Sequence, residues 1–267
     1  MDIASLVGVV VAIVIVFAVQ IMEGGNPASI ILIPSMILVF GGAFCAGMAG
    51  GVLRDATGVG KLLKKAFMAK VTPPNMLVDD IVKLAERARR EGLLALEDAV
   101  KTVEHPFLKR GLQLAIDGTD PDELDDILHA EVSAKKKSDK VGRKLFESMG
   151  GYAPTIGIIG TVMGLVHVLE NLDKPETLGH AIAAAFVATL WGVMSSNLIF
   201  LPIASRLERL SGIEAEEMEL VIDGVLAIQA GSNPRLVAQK LRSLLPPDAA
   251  KAAEAASAGK SAGKKAA

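Results

Sequence analysis

Thr161 and Thr189 place hydroxyls near the middle of two long apolar runs, and Pro154 and Pro202 interrupt the same two runs toward one end. A hydroxyl surrounded by hydrocarbon has two outlets. It can bond back to a carbonyl one turn earlier on its own helix, the ordinary fate of a membrane threonine, or it can line a hydrated path for a cation. Spacing leaves both readings open. Each proline removes a backbone donor and can kink its helix. Neighbouring helices often satisfy the freed carbonyl, whereas two kinks at one depth would form a hinge that opens on protonation. Equally informative is an absence: no Asp, Glu, Lys or Arg lies at mid-depth in any apolar run. Ionisable groups inside a membrane mark proton relays and ion sites. A cation crossing here would need a titrating carboxylate supplied by a partner.

Other chemistry-bearing residues are few. His167, Glu170 and His180 gather near the ends of the last two runs, without the ligand spacing of a zinc site; they read as interfacial polar caps, and no metal is expected. Arg89, Arg90 and Glu97 put basic and acidic charge close together on a polar helical hairpin. Such a patch is either a solvated face with weak ion pairs or a docking surface. No nucleophile–base pair or phosphate loop is present, so the chain is not expected to be an enzyme or to hold a cofactor. A net charge of -2 gives no basic field for nucleic acid.

The elements that carry these residues follow from segregation of charge. Apolar residues make up 51% and charged residues 22%, with mean hydropathy +0.43. Both figures hold only if oily and charged residues occupy separate stretches, and they do. Charge-free runs at about 3–22, 30–53, 150–169 and 178–205 each have the roughly 20 residues that cross a bilayer and lack a polar stripe. The first has no basic leader and is followed at once by a second run, unlike a signal peptide. The fold class expected is all-α: an integral membrane protein with four transmembrane helices, a large helical cytoplasmic insertion between spans 2 and 3, and a cytoplasmic C-terminal helical segment. The boundaries expected are 1–53 and 150–205 for two transmembrane hairpins, 54–149 and 206–245 for helical cytoplasmic segments, and 246–267 for a disordered tail rich in Ala, Gly, Ser and Lys.

Lys and Arg set the orientation. The first connection has none and the last only Lys174, whereas Arg54, Lys61, Lys64, Lys65, Arg143, Lys144, Arg206 and Arg209 flank the other span ends. The central segment and both termini are therefore expected in the cytoplasm. Within that segment Pro73-Pro74 precedes Leu77, Ile81, Leu84 and Ala88 at helical spacing. Gly92 and His105-Pro106 punctuate it. Asp120-Pro121 with Glu123 forms a candidate capping box. The helix it opens is expected to run into the third span and to couple movements at its two ends. Small residues spaced four apart, Gly160 and Gly164 on one span and Ala184, Ala188, Gly192 and Ser196 on the other, predict close helix packing. The single cysteine, Cys45, lies in an apolar run, where a lone thiol acts as a small hydrophobe.

The stretch Gly150-Gly151-Tyr152-Ala153-Pro154-Thr155-Ile156-Gly157-Ile158-Ile159-Gly160-Thr161-Val162-Met163-Gly164-Leu165 resembles the third-span signature of the MotA/PomA family of flagellar stator proteins, within the MotA/TolQ/ExbB superfamily. The stretches 185–192, 197–204 and 85–97 are similar to the same family, and the resemblance covers about residues 1–245. It implies five subunits around two copies of a MotB/PomB-type partner that brings the essential Asp and a peptidoglycan-binding domain. By motif position it implies that Thr161 and Thr189 face that Asp and that Pro154 and Pro202 gate. Arg89 and Glu97, with Arg90 beside them, would meet the rotor protein FliG, and ion transit would turn the ring and drive motility. Sodium-driven members tend to carry two adjacent threonines in span 4. Ala188 stands at the first of these positions, so the transported ion is expected to be H+ rather than Na+. Alternatives are a TolQ/ExbB-type energiser, which typically has one span before its cytoplasmic segment, and a non-conducting membrane scaffold.

Overall fold

The computed structural model describes residues 4–51, 57–69, 74–173 and 175–245. Arg54, Pro73, Lys174 and the 246–267 tail lie outside the described residues. Among the described residues the chain is helical without strands, and it divides into two units, Met1–Lys70 with Lys137–Ser211, and Val71–Lys136 with Gly212–Ala267.

In the first unit α1 spans Ala4–Met22. Its exit is a short 3-10 turn, Pro27–Ile30, capped by the Asn26 side chain, which accepts from the Ala28 N–H. Helix α2 then starts at Ile33, runs through a π-helical turn at Ile37–Gly41 and ends at Ala49. The second apolar run, expected to be helical from residue 30, is thus interrupted at Ile31 and Leu32. The interruption follows from Pro34, which has no N–H to donate to the Ile30 carbonyl and whose ring would clash with that carbonyl in a continuous helix. Backbone groups left over inside an apolar layer must find partners. The Ile31 N–H reaches the Ala28 carbonyl at 3.2 Å, and the Trp191 indole N–H donates to the Ile30 carbonyl at 2.6 Å. An amphipathic helix, α3 (Val59–Met68), follows.

The second unit is a water-type core. Helix α4 (Pro74–Glu91) buries Leu77, Val78, Ile81, Leu84, Ala85 and Ala88, the stripe its spacing predicts. Gly92, at φ 88°, ends it, and a 3-10 turn (Leu93–Leu96) leads into short α5 (Glu97–Lys101). Helix α6 (Pro106–Ile116) brings Leu108 and Leu112 against Leu124, Leu128, Val221, Val225 and Leu241. Each such side chain contributes about 1.5–3 kcal/mol by leaving water.

His105 caps α6: its Nδ1 accepts from the Leu108 N–H at 3.2 Å. Only the neutral ring can accept there, and burial holds the imidazole pKa below its ordinary value. A depressed native pKa means that this stability is full above the unfolded-state value near 6.5 and is lost as pH falls below it. Acidification from pH 7 to 5 is therefore expected to lower the hydrogen-exchange protection of α6, taken relative to the intrinsic rate at each pH. His105→Asn, a cap that does not titrate, should remove that pH response; the cap itself contributes about 1 kcal/mol. An unchanged response in the variant would reject the assignment.

Helix α7 is continuous from Pro121 to Glu170, 50 residues or about 75 Å, as its entry into the third apolar run requires. Asp120 caps it by accepting from the Asp122 N–H at 3.0 Å. The return bond of a capping box is not formed by Glu123, which is exposed; a carboxylate reaching back there would be repelled by two others, Asp120 and Asp122. Helix α8 runs Pro175–Ser195, through a second π turn at Ser196–Phe200, and on through Leu201–Gln229. It does not break near residue 205, where one segment is expected to give way to another, because no proline follows Pro202 in the helix and its glycines, Gly212 and Gly224, come well after that point. Asn233 then caps the last helix, α9 (Pro234–Ser243).

Among the described residues, three helical stretches are long and apolar enough to cross a membrane: Pro27–Ala49, and parts of Pro121–Glu170 and Pro175–Gln229; α1 adds a shorter apolar stretch, Leu6–Met22. Val14, Ile15, Ile37, Ile158, Val162 and Phe186 are all more than half exposed on these helices, and Cys45 is exposed on α2. An apolar surface of this extent suits lipid and partner helices, not water.

Candidate ion pathway

Between the apolar parts of α7 and α8 there is little oil to expel, so contact depends on how closely the backbones approach. Glycines set that approach. A Cβ on Gly157 would lie 2.8 Å from the Ala188 carbonyl oxygen, and one on Gly192 would lie 2.7 Å from the Ala153 carbonyl oxygen. Gly160 meets the Ala188 methyl, and Gly164 meets Ala185 rather than Ala184. Ala188 is therefore buried at the helix contact, against Gly157 and Gly160.

This spacing brings Thr161 and Thr189 together, hydroxyl to hydroxyl. Thr161 Oγ1 also lies 3.2 Å from the Gly157 carbonyl on its own helix and 3.1 Å from the Ala185 carbonyl on α8. Thr189 Oγ1 lies 3.3 Å from the same Gly157 carbonyl. The two readings of these hydroxyls are not exclusive. Thr161 does bond back one turn, but each hydroxyl also reaches across to the other helix, and the pair is half-buried, not sealed. Two hydroxyls with two carbonyl acceptors form a short chain whose O–H orientations can reverse without moving heavy atoms. That arrangement can offer a donor or an acceptor to a group arriving at its open side.

The two prolines are handled differently. Pro154 sits inside α7, where its missing N–H would have served the Gly150 carbonyl. The Ser196 hydroxyl donates to that carbonyl at 2.6 Å, from a side chain only 3% exposed. Ser196 opens the π turn of α8, and Pro202 follows that turn with Leu201 between. Wide π pairing, in which the Leu201 N–H bonds to the Ser196 carbonyl, absorbs the irregularity there. Pro202 lines a cavity of about 230 Å³ with Gly8, Ala12, Ala66, Phe67 and Arg206. From the sequence Ser196 reads only as a small packing residue. The available signal was the orphan carbonyl four residues before a helical proline, which calls for a hydroxyl on the neighbouring helix.

The remaining candidates form no part of this contact. Arg89, Arg90 and Glu97 are all exposed, on either side of the Gly92 turn in the second unit. The Arg90 Nε–H donates to the Glu86 carbonyl at 3.4 Å, while the nearby ion pairs use Arg87 with Glu91 and Lys101 with Asp98. His167 Nδ1 is 3.8 Å from Glu170, and both are exposed.

Residues 99–220 match the MotA/TolQ/ExbB proton channel family. The chemotaxis protein PomA of Vibrio alginolyticus is 34% identical over 245 residues, 92% of this chain and 96% of that one. Among solved structures, C. jejuni MotAB matches with a TM-score of 0.88 at 28% identity, covering 93% of this chain and 97% of that one. The flagellar MotAB stator complex of Bacillus subtilis matches with a TM-score of 0.85 at 34% identity, covering 92% and 97%. The chain belongs to the MotA/TolQ/ExbB proton channel family, as a multi-pass helical membrane protein of its motility-protein branch, and is not an enzyme.

Proposed function

We propose that this chain is the ring-forming subunit of a flagellar stator, which with a MotB-type partner passes cations, H+ in preference to Na+, and converts their flow into rotation. The observation that carries the reading is the Thr161–Thr189 hydroxyl pair. It is half-exposed on helices with no charge of their own at that depth, and so is suited to meet a carboxylate on a partner helix. Exposed Ile158, Val162 and Phe186 on the same helices supply an apolar surface for such a helix. Likeness to PomA and to two MotAB structures across more than nine-tenths of the chain supports the stator branch over the TolQ/ExbB branch. Four spans with cytoplasmic termini, five copies around two partners, and rotor contact through Arg89, Arg90 and Glu97 belong to this proposal. Burial of the Ala188 methyl against glycine backbone favours the proton, since no second hydroxyl stands there to ligate a hard cation.

The test is Thr189→Val, which keeps shape and removes the hydroxyl. Cells are expected to retain the complex in the membrane at wild-type amount but to lose swimming and proton flux through the expressed complex. A passive scaffold would tolerate the change. Swimming that followed an imposed sodium gradient and ignored a pH gradient would overturn the choice of ion while leaving the stator assignment standing.

A further inference from the structure

Six cations crowd residues 135–144 of α7. Lys135 pairs with Glu214, Lys136 lies 3.4 Å from Glu219, and Arg143 pairs with Glu208 and, at 3.3 Å, with Glu147. The other three differ. Among the described residues Lys137 and Lys140 have no carboxylate partner, and Lys144 reaches Glu147 only at 4.0 Å with a side chain 72% exposed. At positions i, i+3 and i+7 they share one helix face. All three line a single groove of about 460 Å³, whose other wall is the end of α2 at Gly47, Gly50 and Gly51. Its floor is apolar, with Val141 and Leu145, and Ser148 adds a hydroxyl at its upper end. One alternative use of these ammonium groups is to cap the last carbonyls of α2, where the helix dipole is negative. Among the described residues none of the three donates to a backbone carbonyl.

We propose that this groove binds the phosphate headgroup of an anionic phospholipid, with the lysines on the phosphate and Val141 and Leu145 beneath the start of the acyl chains. The charge calls for an anion. The apolar floor, at the level where two apolar spans end, calls for one attached to hydrocarbon rather than a free ion, because basic pockets at the cytoplasmic edge of membrane helices suit acidic headgroups. Placement in the inner leaflet rests on the orientation proposed above; binding itself does not. Gly47, Gly50 and Gly51 leave Met48 as the side chain on the facing wall, which keeps room for a headgroup.

The test is native mass spectrometry of the assembled complex, extracted into lipid-free detergent and titrated with phosphatidylglycerol, with phosphatidylcholine of the same chains, or with inorganic phosphate. Phosphatidylglycerol is expected to be retained in preference. Retention should fall roughly tenfold or more in Lys137→Gln/Lys140→Gln/Lys144→Gln and return in the corresponding triple arginine variant, which keeps the charge. Equal retention of both lipids, or loss in the arginine variant as well, would overturn the proposal. So would inorganic phosphate displacing phosphatidylglycerol at equal concentration, which would make this a free-anion site. Orientation is read separately, in a Cys45→Ser, Lys140→Cys background. Labelling by an impermeant thiol reagent only from the outer face would sink the topology without touching the lipid count.

Discussion

Gly157→Val is expected to leave cells with little or no assembled complex, the most severe outcome of any single change in the membrane-spanning unit. A Cβ at this position falls 2.8 Å from the Ala188 carbonyl oxygen and 3.1 Å from the Cα atoms of both Gly192 and Thr189. Every one of these neighbours is backbone, so no rotamer change can relieve the contact. The helices must separate instead. Overpacking of this kind costs about 1–3 kcal/mol in ordinary cores. Here the separation also pulls Thr161 from Thr189 and from the shared Gly157 carbonyl, so function is lost together with assembly. Gly157→Ala, a smaller insult, should assemble in part and swim poorly. Gly212→Ala is the control: nothing lies within 4 Å of its Cβ position, and the change should leave stability equal or raise it by up to about 1 kcal/mol. Membrane-fraction yield and thermal unfolding of the complex measure all three. Wild-type yield from Gly157→Val would refute the packing account.

Ser196→Ala is expected to destabilise the complex by about 1–3 kcal/mol, the range for a buried carbonyl left without a donor, and to slow swimming. The cause is Pro154. Proline cannot donate to the Gly150 carbonyl, and the Ser196 hydroxyl does so in its place at 2.6 Å. Pro154→Ala restores a backbone N–H at the right point of α7. In that background Ser196→Ala should cost markedly less than in the parent, a coupling of about 1 kcal/mol in a double-mutant cycle. Equal costs in the two backgrounds would show that the serine merely fills space.

How much of this was legible beforehand follows from which contacts are local. The apolar stripe of α4 repeats every three to four residues and its register is fixed by that repeat alone, so Leu77, Ile81, Leu84 and Ala88 were readable as a buried face. Asp120 next to Pro121, and His105 next to Pro106, mark helix starts within three residues. The glycine and alanine faces of α7 and α8 were readable as contact surfaces for the same reason. Which glycine meets which alanine was not, because the register between two helices depends on their relative shift and rotation; Gly164 meets Ala185, one residue away from the four-residue series that flagged the face. The exchange of carbonyls by Thr161 and Thr189 fails to announce itself for the same reason. The π turns at Ile37–Gly41 and Ser196–Phe200 leave no compositional mark, since each adds a single residue to a turn of otherwise ordinary apolar helix.

Trp191 is the sole tryptophan of the chain. It is 7% exposed, its N–H is fixed on the Ile30 carbonyl, and its ring lies 5.9 Å from that of Phe40. The indole therefore touches the interrupted start of α2 and the interior of α8 at once, so the protein carries its own fluorescent gauge. Emission excited in this chain reads one joint alone. A red shift or a change in quenching during detergent extraction would report the two apolar hairpins parting, with no label added.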